Sequence, residues 1–533
     1  MTATAKPADV VVIGSGLNGL VAGLRLARKK LAVTIVEQRP EVGGGAITTE
    51  IAPGFRVPTL SHALGPLHRK VARQLGLDAA GLETITPDPA LTALGRDGQS
   101  LVFHRDPVLT AAAIHALSHA DAAKWRTFLD TAQRIASVVA GLQRQAPPAI
   151  DESPLRAWWP LAGVGWRAHG LGTRDLTQLA RWVTMSVADI AAEWFESDLL
   201  QASIAARAIF GNFVGPRSAG TGWMLLQRLA EDPIPIGSGV TMRGGPGVLT
   251  GALADLARTA GADVRVGVPV SQILTTDRRA TGVVLGDGTE IEARSVVAAI
   301  DPATTFVDLV DAAEVPPTFL ERVRHIRARG VLAKINLALA GMPVLAGLEG
   351  DPAPLRGRLL VARDVDHLER AFDAAKYGAL PAEPWLEVAV PTVADPTLAP
   401  PGRHVMSIYA HCVPRHLRGL TSDEARDELA RSVMRVLEPH VPGLSALVLH
   451  RQILLPEDLE RGWGFRGGHI FHGEPTLDQS WIARPQLGWS QYRTPIDGLF
   501  LASAGTHPGG GLTGMSGWLS AKAVASYLRR DGK

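Results

Sequence analysis

Hydrophobic and polar positions follow three regimes along the chain. The first is ADVVVIGSGLNGLVAGLRLARKKLAVTIVEQ, residues 8 to 38. Its β-branched run Val10 to Ile13 is of the kind buried on both faces of a parallel sheet. A glycine turn follows, then an alanine- and leucine-rich helical pattern to about Lys30, then a second β-branched run from Ala32 to Val36. The second regime, from about Leu67 to Leu229, is helical, as in LTAAAIHALSHADAAKWRTFLDTAQRIASVVAGL, with breaks at APPAIDESP and around Trp158-Trp159-Pro160. The third returns to strands between Met242 and Thr305. It predicts a helix to about Ala260, strands at Asp263 to Val266 and Val268 to Thr275, and a hairpin in which ATGVVL and EIEARSVVAAI flank Gly286-Asp287-Gly288. A further excursion of strands and helices, about 311 to 479, precedes Leu499-Phe500-Leu501, the glycine-rich SAGTHPGGGLTG and the helix-like MSGWLSAKAVASYL. This grammar predicts an α/β fold whose first sheet is discontinuous in sequence, with a helical cap and an α+β segment inserted into it.

Composition narrows the class. At 533 residues the chain is long enough for two or three structural units. Lys and Arg number 54 against 52 acidic residues, so no electrostatic footprint for nucleic acid or a polybasic membrane patch exists. The single cysteine, Cys412, excludes an intramolecular disulfide. MTATAKPAD has no apolar core of signal-peptide type, and the most apolar long stretch, VLAKINLALAGMPVLAGL from Val331, is interrupted by Lys334 and Asn336. The expectation is a cytoplasmic protein, with peripheral membrane contact and oligomeric state left open.

The glycine turn carries the first chemistry. Gly14-Ser15-Gly16-Leu17-Asn18-Gly19 is a GxGxxG between strand and helix, and an acid, Glu37, ends the next strand 23 residues after Gly14. Gly14 permits the tight turn, Gly16 lets backbone amides approach a pyrophosphate, and Gly19 lets the helix pack close to the strand. The helix N-terminus supplies partial positive charge. Glu37, followed by Gln38, accepts hydrogen bonds from ribose hydroxyls and repels a 2′-phosphate. A second glycine cluster, Gly43 to Gly45, follows at once in QRPEVGGGAITTEIAPGF. An NAD site needs nothing more there, whereas the ribityl chain and ring of FAD need further backbone lining, which favours FAD; the cofactor expectation is FAD, bound noncovalently. The expected cofactor domain is 1–66, 240–310 and 480–533; the expected substrate and cap domain is 67–239 and 311–479.

With VVIGSGLNGLVAGLRLA, EQRPEVGGGAITTEIAPGF, GGPGVLTGALADLARTAGADVR, AKINLAL, RGGHIFHGEPTLDQSWIARP and GLFLASAGTHPGGGLTGMSGWLSAKAVA in order, the chain resembles the phytoene desaturase-like flavoproteins of the wider amine-oxidase and glutathione-reductase-like FAD superfamily. Within that group it is most similar to the branch named after pyridine nucleotide-disulfide oxidoreductase domain-containing protein 2. The resemblance implies a Rossmann-like FAD domain with an inserted substrate domain. It implies Gly14, Ser15, Gly16, Asn18 and Gly19 on the pyrophosphate, Glu37 and Gln38 at the adenosine ribose, and the backbone of Val270 at the adenine. Gly44, Gly45 and Ala46 would lie along the ribityl and ring side, with Gly505, Gly511, Leu512 and Thr513 at the ring's pyrimidine edge. Ser61 and His62 would sit near the ring. Two departures stand out: Gly44-Gly45-Ala46 replaces the GGR of many relatives, and one cysteine cannot perform dithiol chemistry.

Candidate catalytic residues are sparse. Lys334 is a cation within an apolar strand; the resemblance implies a lysine reaching flavin N5 through water, and the alternative is an exposed edge-strand lysine. His469 and His472 in GGHIFHG form H-x-x-H, without an apparent third ligand, so no metal is expected. His507 lies on the loop that the family brings to the flavin. His411, Cys412 and His416 read as core and surface residues. Trp158, Trp159, Trp166, Trp182, Trp194 and Trp223 either pack between helices or line an apolar cleft. No second nucleotide motif is evident, since Gly244-Gly245-Pro246-Gly247 lacks a preceding strand and following acid; this points to O₂ or a quinone as electron acceptor. The leading expectation is an FAD-dependent dehydrogenase or desaturase of an apolar isoprenoid, polyene or lipid-like substrate. The alternatives are an oxidase of an amine, alcohol or aldehyde, a reduced-flavin polyene saturase or isomerase, and a low-turnover flavin-bearing interaction protein.

Overall fold

The computed structural model describes residues 7–531 except 66, 68, 150–161 and 349; Trp158 and Trp159 lie outside the described residues. Its first sheet is built on the run read from the N-terminus. Ala8–Ile13 pairs in parallel with Val33–Val36 on one side and Glu290–Ala298 on the other, so that Val12 lies between Ile35 and Val297. Asp263–Arg265 and Leu499–Leu501 extend this parallel array at its two sides. The first half of Glu290–Ala298 leaves the array and joins an antiparallel meander with Arg279–Leu285 and Val270–Thr276. Helices Leu17–Ala27, Gly247–Thr259 and Met515–Asp531 cover one face through Leu20, Leu24, Leu253 and Trp518. The other face is closed by Val11, Val283, Ile291, Phe306 and Phe319. The β-branched run is apolar throughout because it is buried on both faces.

The second sheet has the strand order 448–454, 332–339, 404–411, 386–389, 358–361, 91–94 and 100–103. Helix Ser422–Leu437 packs on one face of it through Leu429, Val433 and Leu437. Leu332–Leu339 pairs on both sides and all eight of its residues are buried. Lys334 is 1% exposed, so the reading of an exposed edge-strand lysine is corrected. The apolar stretch around Lys334 is a central strand, which needs apolar residues on both faces.

The helical region forms a cap over the second sheet. The single long helical pattern divides at Ser118, whose side chain accepts the Asp121 N–H, into Pro107–His115 and His119–Gln143. Trp182 and Trp223 are buried in the cap core with Phe128, Ile190 and Leu226, Trp194 packs against that core, and Trp166 is 84% exposed. These four fill helix interfaces or face solvent, and none lines the cavities described below. Among the described residues no helix is long and apolar enough to cross a membrane.

Candidate active site

Two cavities meet inside the molecule. The first is a cleft along the carboxyl ends of the parallel strands, walled by Gly14, Gly16, Leu17, Glu37, Gln38, Arg39, Gly44, Val270, Trp463 and His472 among others. Gly14 takes φ +94° and turns the chain from strand into helix Leu17–Ala27. That helix has Gly16 as N-cap, no side-chain cap and no acid in its first turn, so its positive end is open to the cleft. Glu37 accepts both the N–H and the hydroxyl of Ser15 at 2.8 and 2.9 Å on one oxygen, and the Arg39 N–H at 3.0 Å on the other. This fixes the carboxylate at the cleft's far end. Arg39 lies over the Trp463 ring at 4.5 Å and donates to the Gly462 carbonyl at 2.6 Å.

The second cavity is a chamber between the cap and the second sheet. It shares Asn18, Gly45, Phe465, Ile470, Ala504 and Leu512 with the cleft. Leu60, Phe210, Ile236, Leu360, Trp385 and Phe471 give it an apolar lining. Three arginines (Arg207, Arg228, Arg358) and three acids (Glu231, Asp232, Glu387) also reach its wall. The chamber is thus a body of apolar surface studded with charges, of which Arg358–Glu387 and Arg228–Glu231 are paired.

Behind the chamber lies a buried polar chain. Glu387, on the chamber wall, accepts from Arg358 Nη1 at 2.8 Å and contacts His62 Nε2 at 3.1 Å. His62 Nδ1 lies 3.2 Å from Lys334 Nζ, which also donates to the Ser407 hydroxyl and sits 4.2 Å above the Tyr409 ring. Ser407 in turn donates to Asn336 Oδ1. Burial pushes the Lys334 amine well below its usual range, against the opposing pull of Glu387. Burial, reinforced by Lys334, pushes His62 down to about 4. Burial alone would raise the Glu387 carboxyl, but Arg358 and the His62 hydrogen bond reverse this and hold it well below the usual carboxylate range. The consistent arrangement at neutral pH is an ionised Glu387 accepting from a neutral His62, whose Nδ1 accepts from Lys334.

The structure sorts the residues expected from the sequence. Gly14, Gly16, Asn18, Glu37, Gln38, Gly44, Gly45, Val270, His472 and Leu512 all line the cleft, and Gly511 lines the chamber. The Asn18 side chain accepts the Gly517 N–H at 3.2 Å, so it anchors the last helix. Ser15 is spent on Glu37, and a Cβ on Gly19 would lie 2.0 Å from the Gly14 carbonyl oxygen, as its packing role requires. Ala46 is wholly buried in the helix-side core, and its carbonyl accepts from Thr250. Thr513 accepts the Met515 N–H at the start of the last helix, and Gly505 is pressed against Pro302. A Cβ on Gly510 would lie 2.2 Å from Phe471, and one on Gly511 2.7 Å from the Glu231 carboxylate. Gly510 is thus demanded by Phe471, and Gly511 by its φ of +104°.

The histidines separate as well. His469 Nδ1 accepts the N–H groups of Phe471 and Gly473, at 3.3 and 3.4 Å, which holds its own loop in shape. His507 Nε2 is 3.1 Å from the Leu142 carbonyl, tying the C-terminal loop to the cap, and it lines neither cavity. Burial pushes His469 down to about 3 and His472 and His507 down to about 4. Lys334 lies behind the chamber wall, one residue removed from it through His62 and Glu387. His411 stacks on Trp385 at 3.4 Å. Sequence reasoning missed Glu387, Arg358, Ser407, Arg207 and Arg39. Only Arg39, two residues past the strand-ending acid, carried a positional signal.

The chain matches the family described as flavin containing amine oxidoreductase over residues 17–528. The chain belongs to that family. It is 32% identical over 545 residues to rat pyridine nucleotide-disulfide oxidoreductase domain-containing protein 2, covering 98% of this chain and 94% of the relative. One component of the limonene dehydrogenase of Castellaniella defragrans is 28% identical, covering 98% and 95%, and a neurosporene-forming phytoene desaturase of Rhodobacter capsulatus is 26% identical, covering 97% and 93%. The fold is similar to putrescine oxidase bound to putrescine, with a TM-score of 0.62 at 15% identity over 98% of this chain and 100% of the other. Family membership makes this chain an FAD-dependent oxidoreductase with the fold of that family. The residues present fit the cofactor: an uncapped helix N-terminus for a diphosphate and a fixed carboxylate at the nucleoside end. Cys412 is buried against Trp385 in the cap core, so dithiol chemistry is foreign to this chain despite the relative's name.

Proposed function

We propose that this protein is a dehydrogenase or desaturase that binds FAD noncovalently in the cleft and a largely apolar small molecule in the chamber. The observation that carries the reading is the wall the two cavities share, Asn18, Gly45, Phe465, Ile470, Ala504 and Leu512, since hydride transfer needs substrate and cofactor in contact and sheltered from water. FAD supplies a hydride acceptor. The chain's own residues do the rest. Phe465, Ile470 and Leu512 exclude water, and Gly45 leaves room at the boundary. The ionised Glu387 on the chamber wall, held by His62 and Lys334 behind it, is the first step of a path for the proton that must leave the substrate when a C–H hydride is removed. Noncovalent attachment is supported by the position of Cys412, the sole thiol, away from the cleft.

The proposed cofactor domain is 1–66, 240–310 and 480–533, which contains every strand of the first sheet; the remainder forms the substrate and cap domain with every strand of the second. The electron acceptor is proposed to be O₂ or a quinone, and the protein is proposed to act in the cytoplasm. The same proton path also suits oxidation of an amine or alcohol, where a heteroatom proton leaves with the hydride; O₂ consumption with peroxide release would assign that alternative. The test is anaerobic mixing of the purified yellow protein with a panel of terpenes, polyenes, amines and alcohols. Bleaching of the flavin band by an apolar member, with a new C=C bond in the product, is the expected result. A colourless protein indifferent to added FAD would sink the reading.

A further inference from the structure

We propose that the chamber recognises a carboxylate on its substrate, held between Arg207 and Ser238 at the end remote from the cofactor cleft. This rests on the chamber being the substrate site and adds the chemical class of the molecule it takes. Arg207, on helix Asp198–Ile209, reaches the chamber wall deep in the protein. Among the described residues it makes no ion pair, and its Nε is buried without a hydrogen-bond partner. Ser238, 5% exposed and on the same wall, has a buried Oγ that also lacks a partner. The two are neighbours through Gly237, where an added Cβ would lie 2.6 Å from Arg207 Nη1.

The surrounding charges leave this corner free for an anion. Asp232, the nearest acid to Arg207 in effect, spends its oxygens on the Ile234 and Ser238 N–H groups at 3.2 and 2.6 Å. Glu387 is taken by Arg358, whose Nη2 also donates to the Ile236 and Gly237 carbonyls. Arg228 is paired with Glu231 at 3.4 Å, and burial raises that carboxyl, which weakens its claim as a counter-charge. A buried guanidinium with acids nearby but none in an ion pair with it is costly unless a ligand supplies a partner, and a planar carboxylate matches its fork. Neither Arg207 nor Ser238 touches the cofactor cleft, so the apolar body of such a ligand extends toward Phe465, Ile470 and Leu512.

The probes are octanoate, octan-1-ol and octyl phosphate, titrated into the FAD-loaded protein while the flavin absorbance is followed. Octanoate is expected to perturb the spectrum at least about tenfold more tightly than octan-1-ol. Arg207→Gln is expected to raise the octanoate Kd about 30-fold, the size of a lost charge-assisted hydrogen bond, and to leave octan-1-ol unchanged. Arg207→Lys should recover part of the preference. Where Arg207→Gln does not keep its flavin, Ser238→Ala and Arg207→Lys carry the comparison, each with a smaller loss confined to octanoate. Equal binding of octanoate and octan-1-ol, tighter binding of octyl phosphate than of octanoate, or a flavin spectrum blind to all three would overturn the inference while leaving the cofactor reading intact. A protein that binds no FAD would instead sink the cofactor reading itself.

Discussion

Lys334 Nζ lies 3.2 Å from His62 Nδ1, joining two residues 272 positions apart within the protein interior. Leu332–Leu339 supplies the lysine and the loop after Phe55–Pro58 supplies the histidine; Glu387, on the far side of His62, faces the chamber. The hydrogen bonds therefore run from Lys334 through His62 to Glu387, and the two inner groups hold the carboxylate that faces the chamber.

Lys334→Met is expected to retain FAD and to cost less than about 1.5 kcal/mol of stability, because it exchanges a desolvated amine for an apolar side chain of similar length. With any substrate that bleaches the flavin, the rate of bleaching should fall about 10²- to 10⁴-fold, the usual contribution of positioned acid–base groups. Stopped-flow absorbance measures it. An unchanged rate across pH would remove Lys334 from the proton path.

Gly16→Val is expected to abolish flavin retention with the fold preserved. A Cβ at this position meets only Gly44 Cα at 4.0 Å, so the branched methyls project into the cleft and not into protein. The readout is the visible flavin band set against far-ultraviolet circular dichroism. A yellow Gly16→Val protein would show that the helix N-terminus does not hold the diphosphate.

Two tryptophans should respond in opposite ways. Trp182 is fully buried in the cap core, and Trp182→Ala is expected to cost about 3 to 5 kcal/mol in denaturant unfolding of the cap. Trp385 is almost as buried but lines the chamber. Trp385→Phe should leave unfolding within about 1.5 kcal/mol and shift the KM of whichever substrate is found. A KM change in Trp182→Phe instead would restore the reading in which the cap tryptophans line an apolar cleft.

Acid should destabilise the protein well above the carboxylate range. Burial holds His62, His472 and His507 at about 4 and His411 and His469 at about 3. Unfolded histidines bind protons below about 6.5 while these folded ones do not, so each withdraws about 1.4 kcal/mol of stability per pH unit as pH falls from 6.5 to 4. Asp301, raised to about 6 by burial, and Glu231, also raised by burial, act in the opposite sense because the folded forms take protons first. With His367, His404 and His440 also lowered by burial, the histidines outweigh the two acids and predict a Tm that drops between 6.5 and 4, while the lowered Lys334 amine makes it rise further above pH 7. A Tm that holds or rises down to pH 5 would contradict this.

The cleft was readable because its parts are contiguous in sequence: a strand, Gly14-x-Gly16-x-x-Gly19, a helix and Glu37 within 30 residues of one another. Local spacing encodes such a unit completely. The chamber was not readable, since its chemistry is assembled by strand register. Glu387 lies opposite Leu360 on one side and Tyr409 on the other, and Lys334 lies opposite Tyr409. Nothing near residue 387 in the chain announces that Arg358 and His62 will converge on it. The tryptophans misled for a related reason. Large apolar side chains mark burial, and burial in the cap core looks the same in sequence as burial against a ligand.

The last helix carries a consequence for biosynthesis. Met515–Asp531 packs on Leu17–Ala27, with Trp518 and Leu519 against the Leu20 and Leu24 side of the core, and Gly517 comes so close to Asn18 that an added Cβ would lie 2.0 Å from its carbonyl oxygen. Helix Leu17–Ala27 is thus completed by a helix whose Gly517 lies 499 positions beyond Asn18, and strand Leu499–Leu501 joins the first sheet from a similar distance. Until Met515–Asp531 is made, Leu17–Ala27 keeps the apolar stripe of Leu20 and Leu24 uncovered, so the glycine turn alone does not complete the cofactor side of the fold.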